Sequence, residues 1–219
     1  MPSYGAEALV LKKTKLGETD TVFTLLTTDG RQIRAVAKAA RKPGSSLGAR
    51  LEPGYLVEVR LHTGRSLEVI SEVRLREPNR ASFVDLEHTA AVSVVLELAE
   101  KSTRDFNAEP MVFNMSVEAL RCIGLAQGAA SALIAAAALL KLSAALGFRP
   151  TLAEAPLPAT IDPAWLERLL TTHFADLVDA SAQPYDSVAA TLLCFARNWL
   201  VQHLEIRLKS LDVLLSLWE

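Results

Sequence analysis

The stretch YLVEVRLHTGRSLEVISEVRLR, residues 55–76, decides what the first part of the chain folds into. Apolar and charged residues alternate in both of its halves, and this period of two sends neighbouring side chains to opposite faces of a β-strand. Between the halves, TGRS at residues 63–66 supplies the glycine-containing turn of a hairpin. In the second half, the residues predicted to face a core are Leu67, Val69, Val73 and Leu75.

Three earlier strands are predicted at residues 6–13, 21–27 and 32–38. Turns are predicted at residues 16–18 and at Asp29-Gly30, because Asp-Gly between two apolar runs is typical of a hairpin. Five short strands in about eighty residues, with no long helix among them, predict a small closed barrel such as an OB-fold. An SH3-like barrel fits the same pattern.

Helical spacing of the apolar residues replaces the period of two after Pro78. The fold class is therefore predicted to be α+β, an all-β barrel plus an all-α part. An N-terminal five-stranded OB-fold barrel at residues 1–80 is followed by a helical-bundle C-terminal domain at residues 81–219, with an irregular loop at about residues 148–163. Start and stop signals place helices from near Asp85, from Pro110, up to Leu146-Gly147, after Asp162-Pro163 and from near Asp186 to the C-terminus.

The charge is divided unequally between these two parts. Residues 1–80 hold 14 Lys and Arg against 9 Asp and Glu, a net charge of +5. Residues 81–219 hold 9 Lys and Arg against 16 Asp and Glu, a net charge of −7. An anionic partner is therefore expected to bind the first part of the chain.

Residues 31–50 contain six cations and no carboxylate. Period two puts Arg34 and Lys38 on the strand face opposite the apolar Ile33, and the Gly-, Ser- and Pro-containing loop that follows is predicted to be mobile. Such a segment can contact a phosphate backbone, with an affinity that falls steeply with salt and little sequence discrimination. The alternative is an ordinary solvated basic loop. The predicted DNA-binding residues are Arg31, Arg34, Lys38, Arg41, Lys42 and Arg50.

No motif in the sequence indicates an active site or a bound cofactor. The phosphate-binding loop, G-x-G-x-x-G, H-E-x-x-H and the EF-hand loop are all absent, and the four histidines lack metal-ligand spacing. We therefore predict no catalytic residue, no metal, no nucleotide and no other cofactor. Because no secretory leader and no apolar run of membrane-spanning length is visible, a cytoplasmic protein without a membrane segment is expected.

Several short motifs, taken in order, resemble the RecO family. In the first part they are ALVL at 8–11, GETD at 17–20, VAKAARK at 36–42 and LEPG at 51–54. In the second part they are LKL at 140–142, LGFRP at 146–150 and LKS at 208–210.

The resemblance implies a recombination mediator of the RecF pathway of DNA repair, cytoplasmic and nucleoid-associated. Such a protein is expected to bind single- and double-stranded DNA and to anneal complementary strands. With RecR, it is expected to help load RecA onto strands coated by single-strand-binding protein. The alternative is a non-catalytic adaptor whose basic barrel loop binds an acidic protein.

Two details of the family bear on this chain. Many members carry a C-x-x-C pair after the Leu-Gly-aromatic turn as half of a zinc site, but the matching positions here are Ala155 and Pro158, so no zinc is predicted. The resemblance also implies a site for the acidic, hydrophobic-ended tail of single-strand-binding protein, and solvated helix-end cations are the alternative there. The predicted residues of this tail site are Lys141, Leu142, Leu146 and Arg149.

Overall fold

The structure is a computed structural model that describes residues 2–79, 81, 85–103, 109–127, 129–154, 157–158, 161–178 and 185–217. Five strands follow one another in the N-terminal part, each within a few residues of its predicted position. They are β1 (Ser3–Leu16), β2 (Asp20–Thr27), β3 (Gln32–Ala37), β4 (Leu56–His62) and β5 (Glu68–Glu77).

The five strands close into a barrel in the order β1-β2-β3-β5-β4. All neighbours are antiparallel except β3 and β5, which run parallel and share only the pairs Ala35–Glu68 and Val36–Val69. This closed five-stranded barrel confirms the OB-fold prediction.

The barrel interior is filled by alternate residues of all five strands. On β3 the inward residues are Ile33, Ala35 and Ala37, as period two predicts. On β5 the prediction is partly wrong, because Ile70 joins the core while Leu75 is 37% exposed. The ladder skips Ser71 between Ile70 and Glu72, and this β-bulge turns Ile70 rather than Val69 inward; alternation alone does not reveal a bulge.

Strand β2 is buried on both faces. Phe23 and Leu25 point into the barrel, and the outward residues Val22 and Leu26 are buried as well. Residues 99–103 and 109–117 belong to the same compact unit as the barrel.

Two contacts tie residues 99–103 and 109–117 to the barrel. The side-chain amide of Gln32 donates a hydrogen bond of 2.7 Å to the Glu100 carbonyl oxygen. Gly30 has φ +83°, and a Cβ at this position would lie 2.3 Å from the Glu109 nitrogen. Only glycine therefore fits the Asp29-Gly30 turn beneath this segment.

The remaining elements are helices. They are α1 (Ser46–Ala49), α2 (Leu86–Ser102), α3 (Pro110–Ile123), α4 (Ala130–Ala145), α5 (Ala164–Thr171), α6 (Ala175–Val178), α7 (Tyr185–Leu204) and α8 (Lys209–Ser216). The predicted starts at Asp85 and Asp162 are confirmed, because each carboxylate accepts a backbone N–H from the first turn of its helix. The start of α8 has no such local signal: Glu97 of α2 accepts hydrogen bonds from the backbone of Lys209 and Ser210.

The chain divides into two compact units. One unit comprises Met1–Asn79 and Ala99–Val117, and the other comprises Arg80–Leu98 and Glu118–Glu219. The division therefore falls within α2 and α3, and the predicted domain boundary at residue 80 stays a prediction.

The second unit is built around α4, whose Ala- and Leu-rich sequence is buried on nearly every side. Trp199 of α7 packs in the same unit, and its indole N–H donates to the Phe148 carbonyl oxygen at 3.1 Å. Among the described helices, none is both long and apolar enough to cross a membrane.

Candidate nucleic-acid interface

Two of the predicted cations are Arg34, on the outward side of β3, and Lys38, directly after the strand. Arg34 and Lys38 are exposed, whereas Ile33, Ala35 and Ala37 on the opposite face are buried. The strand therefore holds the charged groups in solvent by fixing the apolar residues between them inside the barrel.

The residues after β3 are attached to the turn between β1 and β2. Ala39 adopts φ +56°, which is uncommon for a residue with a side chain, and its N–H donates to the Asp20 carboxylate at 2.8 Å. The Arg41 N–H donates to the Thr19 carbonyl oxygen at 2.9 Å. Together these contacts fix the backbone between Lys38 and Lys42 while leaving both ammonium groups exposed.

Asp20 is the central acceptor of this arrangement. The hydrogen bond from the Ala39 N–H lowers the pKa of Asp20, and the charges of Lys38 and Lys42 act in the same direction. The Asp20 carboxylate thus caps the backbone N–H of Ala39 across the turn between β1 and β2.

The loop predicted to be mobile contains regular structure. Residues Ser46–Ala49 form the single helical turn α1, and Gly48 lies so close to the Ala40 carbonyl oxygen that a Cβ there would be 2.4 Å from it. The Arg41 guanidinium donates to the Glu18 carbonyl oxygen, which orients it toward the same turn. The basic segment is thus a defined surface rather than an irregular loop.

Residues 31–50 contain no carboxylate in sequence, but in the structure two carboxylates from outside the segment lie beside its cations. Asp29 forms an ion pair with Arg31 at 2.7 Å, and hydrogen bonds from Thr27 and Arg31 lower the pKa of Asp29. Asp20 lies near Lys38 and Lys42. The local sequence therefore overstated how much positive charge is without an acidic neighbour. Both carboxylates come from turns that precede the segment.

Arg50 lies apart from the other predicted residues. Its guanidinium donates to the Val73 carbonyl oxygen at 3.3 Å and lines a cavity of about 630 Å³ with Arg60 and Arg74. Glu58 and Glu72 line the same cavity, so this surface carries both signs of charge.

Arg65 is a cation that the sequence argument did not select. It lies in the turn between β4 and β5 and lines a cavity of about 360 Å³ with Arg31 and Arg34. The signal was its position in the TGRS hairpin, but only the pairing of β3 with β5 shows which strand that hairpin adjoins.

The predicted tail-site residues are largely engaged within their own unit. The Lys141 ammonium donates to the Leu170 carbonyl oxygen at 3.1 Å and lies 5.3 Å from the centre of the Phe174 ring, and burial lowers its pKa. Leu142 is fully buried and therefore inaccessible to a peptide tail.

The other two tail-site residues are more accessible. Leu146 is half-buried, and Arg149 pairs with Glu167 at 3.0 Å with 54% of its side chain exposed. The tail site as a whole stays a prediction.

The two positions that match the zinc ligands of many family members, Ala155 and Pro158, hold no metal-binding side chain. Pro158 has no side-chain donor, and Ala155 lies outside the described residues. Among the residues that are described, no three His, Cys, Asp or Glu side chains are placed to hold a metal ion. Burial raises the pKa of the Cys122 thiol to about 11, so the thiolate needed for metal binding is disfavoured there.

The fold and the interface define an OB-fold barrel with an exposed cationic surface, followed by a helical part. Residues 1–79 match the model for the N-terminal part of recombination protein O, and residues 84–157 match the model for its C-terminal part. The chain belongs to the RecO family.

One relative with this name is similar over part of its length. The DNA repair protein RecO of Frankia casuarinae is 41% identical over 106 residues, which are 48% of this chain. The match spans 44% of that relative, less than half of its length.

Proposed function

We propose that this chain is a recombination mediator in DNA repair that binds single- and double-stranded DNA through the barrel. The observation that carries the proposal is the exposed set Lys38, Arg41 and Lys42 on a backbone fixed by Asp20. Cations held in solvent by an ordered backbone can contact phosphates without first losing the conformational entropy of a flexible loop. Binding of this kind is independent of base sequence.

Membership of the RecO family supports the finer roles. We propose that the chain anneals complementary strands without a nucleotide cofactor and acts with RecR to load RecA onto strands coated by single-strand-binding protein. Shielding of phosphate charge on two strands at once lowers their mutual repulsion, which is the physical contribution that a basic barrel makes to annealing.

The first experiment measures binding of a labelled single-stranded oligonucleotide by fluorescence anisotropy over a salt series. The native chain is compared with a variant that carries Lys38→Ala, Arg41→Ala and Lys42→Ala. Each lost phosphate contact is expected to flatten the salt slope by about 0.7, so the triple variant should flatten it by about 2. At 0.1 M salt this corresponds to roughly a hundred-fold weaker binding.

The control is the double variant Arg60→Ala and Arg74→Ala, which removes two cations from the outer surface of β4 and β5. Its salt slope should match that of the native chain. Equal slopes for the native and the triple variant would show that this basic surface is not the DNA site. If the native chain binds no oligonucleotide at low salt but binds a folded acidic protein, the adaptor function replaces the mediator function.

For the partner tail, we propose a contact that uses the accessible members of the predicted site. Arg149 would exchange the Glu167 carboxylate for an acidic group of the tail, while Leu146 and the 43% exposed Phe148 provide apolar contact. Binding of a peptide with the tail sequence to native chain and to Arg149→Ala tests this. A Glu167→Gln variant should bind the peptide more tightly, since the competing carboxylate is gone.

A further inference from the structure

The barrel is least completely closed between β3 and β5. Only two residue pairs join these strands, whereas the other neighbouring strands pair along most of their length. Beyond those two pairs the start of β3 lies beside the turn that precedes β5, and a cavity of about 360 Å³ opens between them. We call this opening the β3–β5 seam; it is lined by residues 31–34 and 63–68.

Three guanidinium groups line the seam, and two of them have no ionic partner. Arg31 is paired with Asp29 at 2.7 Å. Arg34 and Arg65 are exposed, and neither forms an ion pair within the described part of the chain. The planar guanidinium fork matches the oxygens of a phosphate, so two unpaired forks beside one cavity favour a phosphodiester ligand.

One carboxylate, Glu68, also lines the seam. It accepts a hydrogen bond of 2.6 Å from the Tyr4 hydroxyl. Burial and this hydrogen bond raise the pKa of Tyr4 to about 12, so the phenol keeps its proton and continues to donate to Glu68 at neutral pH. The Glu68 charge opposes an anionic ligand but is directed toward Tyr4.

The other outer surfaces of the barrel are less suited to a nucleic-acid strand. The outer face of β2 is buried. On β4 and β5 the cations face carboxylates, with Arg60 3.7 Å from Glu72 and Arg76 2.8 Å from Glu58. On β3 the outward residue Val36 is buried as well, so the exposed basic groups of this strand lie at the seam and just after the strand's end.

We propose that Arg34 and Arg65 form a second phosphate subsite at the β3–β5 seam. One nucleic-acid strand then contacts both this seam and the cations that follow β3, Lys38, Arg41 and Lys42. This inference rests on the proposed DNA binding and adds a second point of contact. Arg34 lies four residues before Lys38, at most about 13 Å along the chain, so a strand of about four nucleotides at roughly 3.4 Å each reaches both.

The test compares two double variants that remove the same amount of charge. Arg34→Ala with Arg65→Ala removes the seam subsite, and Arg60→Ala with Arg74→Ala is the charge-matched control on β4 and β5. Salt-dependent binding is measured with oligonucleotides of 2 and 16 nucleotides. The first is about 7 Å long at roughly 3.4 Å per nucleotide, shorter than the separation of Arg34 and Lys38, and the second fills the site of about 4–16 nucleotides typical of one OB-fold.

For the longer oligonucleotide, the seam variant should have a salt slope flatter by about 1.4 than the native chain, and roughly 25-fold weaker binding at 0.1 M salt. The control variant should have the same salt slope and the same affinity as the native chain. The shorter oligonucleotide cannot contact Arg34 and Lys38 at once, so its affinity should change much less than that of the longer one.

A second variant tests the seam by a gain of binding, which a folding defect cannot produce. Glu68→Gln removes the negative charge and keeps an acceptor for Tyr4, so the longer oligonucleotide should bind several-fold more tightly. Native binding with unchanged slopes in the seam variant would overturn the seam but leave the proposed function standing. Absence of binding by the native chain would overturn both.

Discussion

The cations of the barrel and those of the helical unit are the same residue types in different surroundings. On the barrel, Arg34, Lys38 and Arg65 project from strand and turn residues into solvent. In the helical unit, Lys141 donates to a backbone carbonyl and lies over an aromatic ring, and Arg149 pairs with a carboxylate. Barrel cations can make such contacts too, as Arg31 does with Asp29 and Arg41 with the Glu18 carbonyl oxygen. The number of cations in a segment therefore indicates a binding surface only where the fold leaves several of them exposed.

The cause of the difference is the geometry of the two architectures. Alternation along a strand directs a cation away from the core, and a neighbouring strand offers few acceptors once its backbone is paired. Helix ends expose carbonyl groups that have no partner in their own helix, and a long Lys stem reaches them while it packs against apolar side chains. Lys141 at the C-terminal carbonyls of α5 is such a case.

The largest expected effect is on the stability of the helical unit and comes from its most buried tail-site residue, Leu142. Leu142→Ala removes a fully buried side chain from α4 and should lower the free energy of unfolding by about 2–5 kcal/mol, because it leaves a cavity. Urea unfolding followed by circular dichroism measures this. Leu217→Ala, at a side chain that is 40% exposed, is the control and should change stability far less.

A smaller loss is expected for Lys141→Ala, about 1–2 kcal/mol, since the hydrogen bond to Leu170 and the contact with Phe174 are both removed. The salt slope of DNA binding should stay at the native value. The Lys141→Met variant keeps the apolar stem and separates packing from charge. If Lys141→Ala left stability unchanged but weakened DNA binding, the contrast between the two regions would fail.

For Arg149→Ala the expected change in stability is smaller again, about 0–1 kcal/mol, because the pair with Glu167 is largely exposed to water. Thermal unfolding with and without 0.5 M salt, about three times physiological ionic strength, measures it. A loss well above this range would mean that Arg149 is a structural residue and not an accessible contact for a tail.

The smallest effect is local and depends on pH. Since the pKa of Asp20 is lowered in the fold, its contribution is fully present above the ordinary value of 3.8 and is lost as pH falls through the lower, folded value. The Ala39 amide should lose its protection from hydrogen exchange in Asp20→Ala, because the acceptor is removed. It should keep most of this protection in Asp20→Asn, because the side-chain carbonyl oxygen can still accept. Equal protection in both variants would show that the carbonyl-type acceptor is not what fixes the backbone after β3.

Most of the fold could be predicted because it depends on periodicity and end signals. The five strands and the helix starts at Asp85 and Asp162 follow from alternation, turns and capping residues. The bulge beside Leu61 and the capping of α8 by Glu97 could not be predicted. Both depend on which distant residues meet, and no local pattern records that.

The candidate site could be predicted only in part for the same reason. Arg34 and Lys38 follow from the alternation of β3, but the contact between Asp20 and the Ala39 N–H joins two segments that are distant in sequence. Arg65 joins Arg34 only because β5 runs parallel to β3, a pairing that hairpin rules do not give. Leu142 was placed in a tail site because the motif around it resembles the family, but its side chain is buried.

The make-up of the barrel's compact unit also has a consequence for how the chain is made. All five strands have been synthesised by Glu77, yet the same unit also includes Ala99–Val117. A ribosome that has completed only the barrel has therefore not yet made the whole unit in which Val22 and Leu26 of β2 are buried. A fragment ending near residue 80 should then need a chaperone, or aggregate, where the full chain does not.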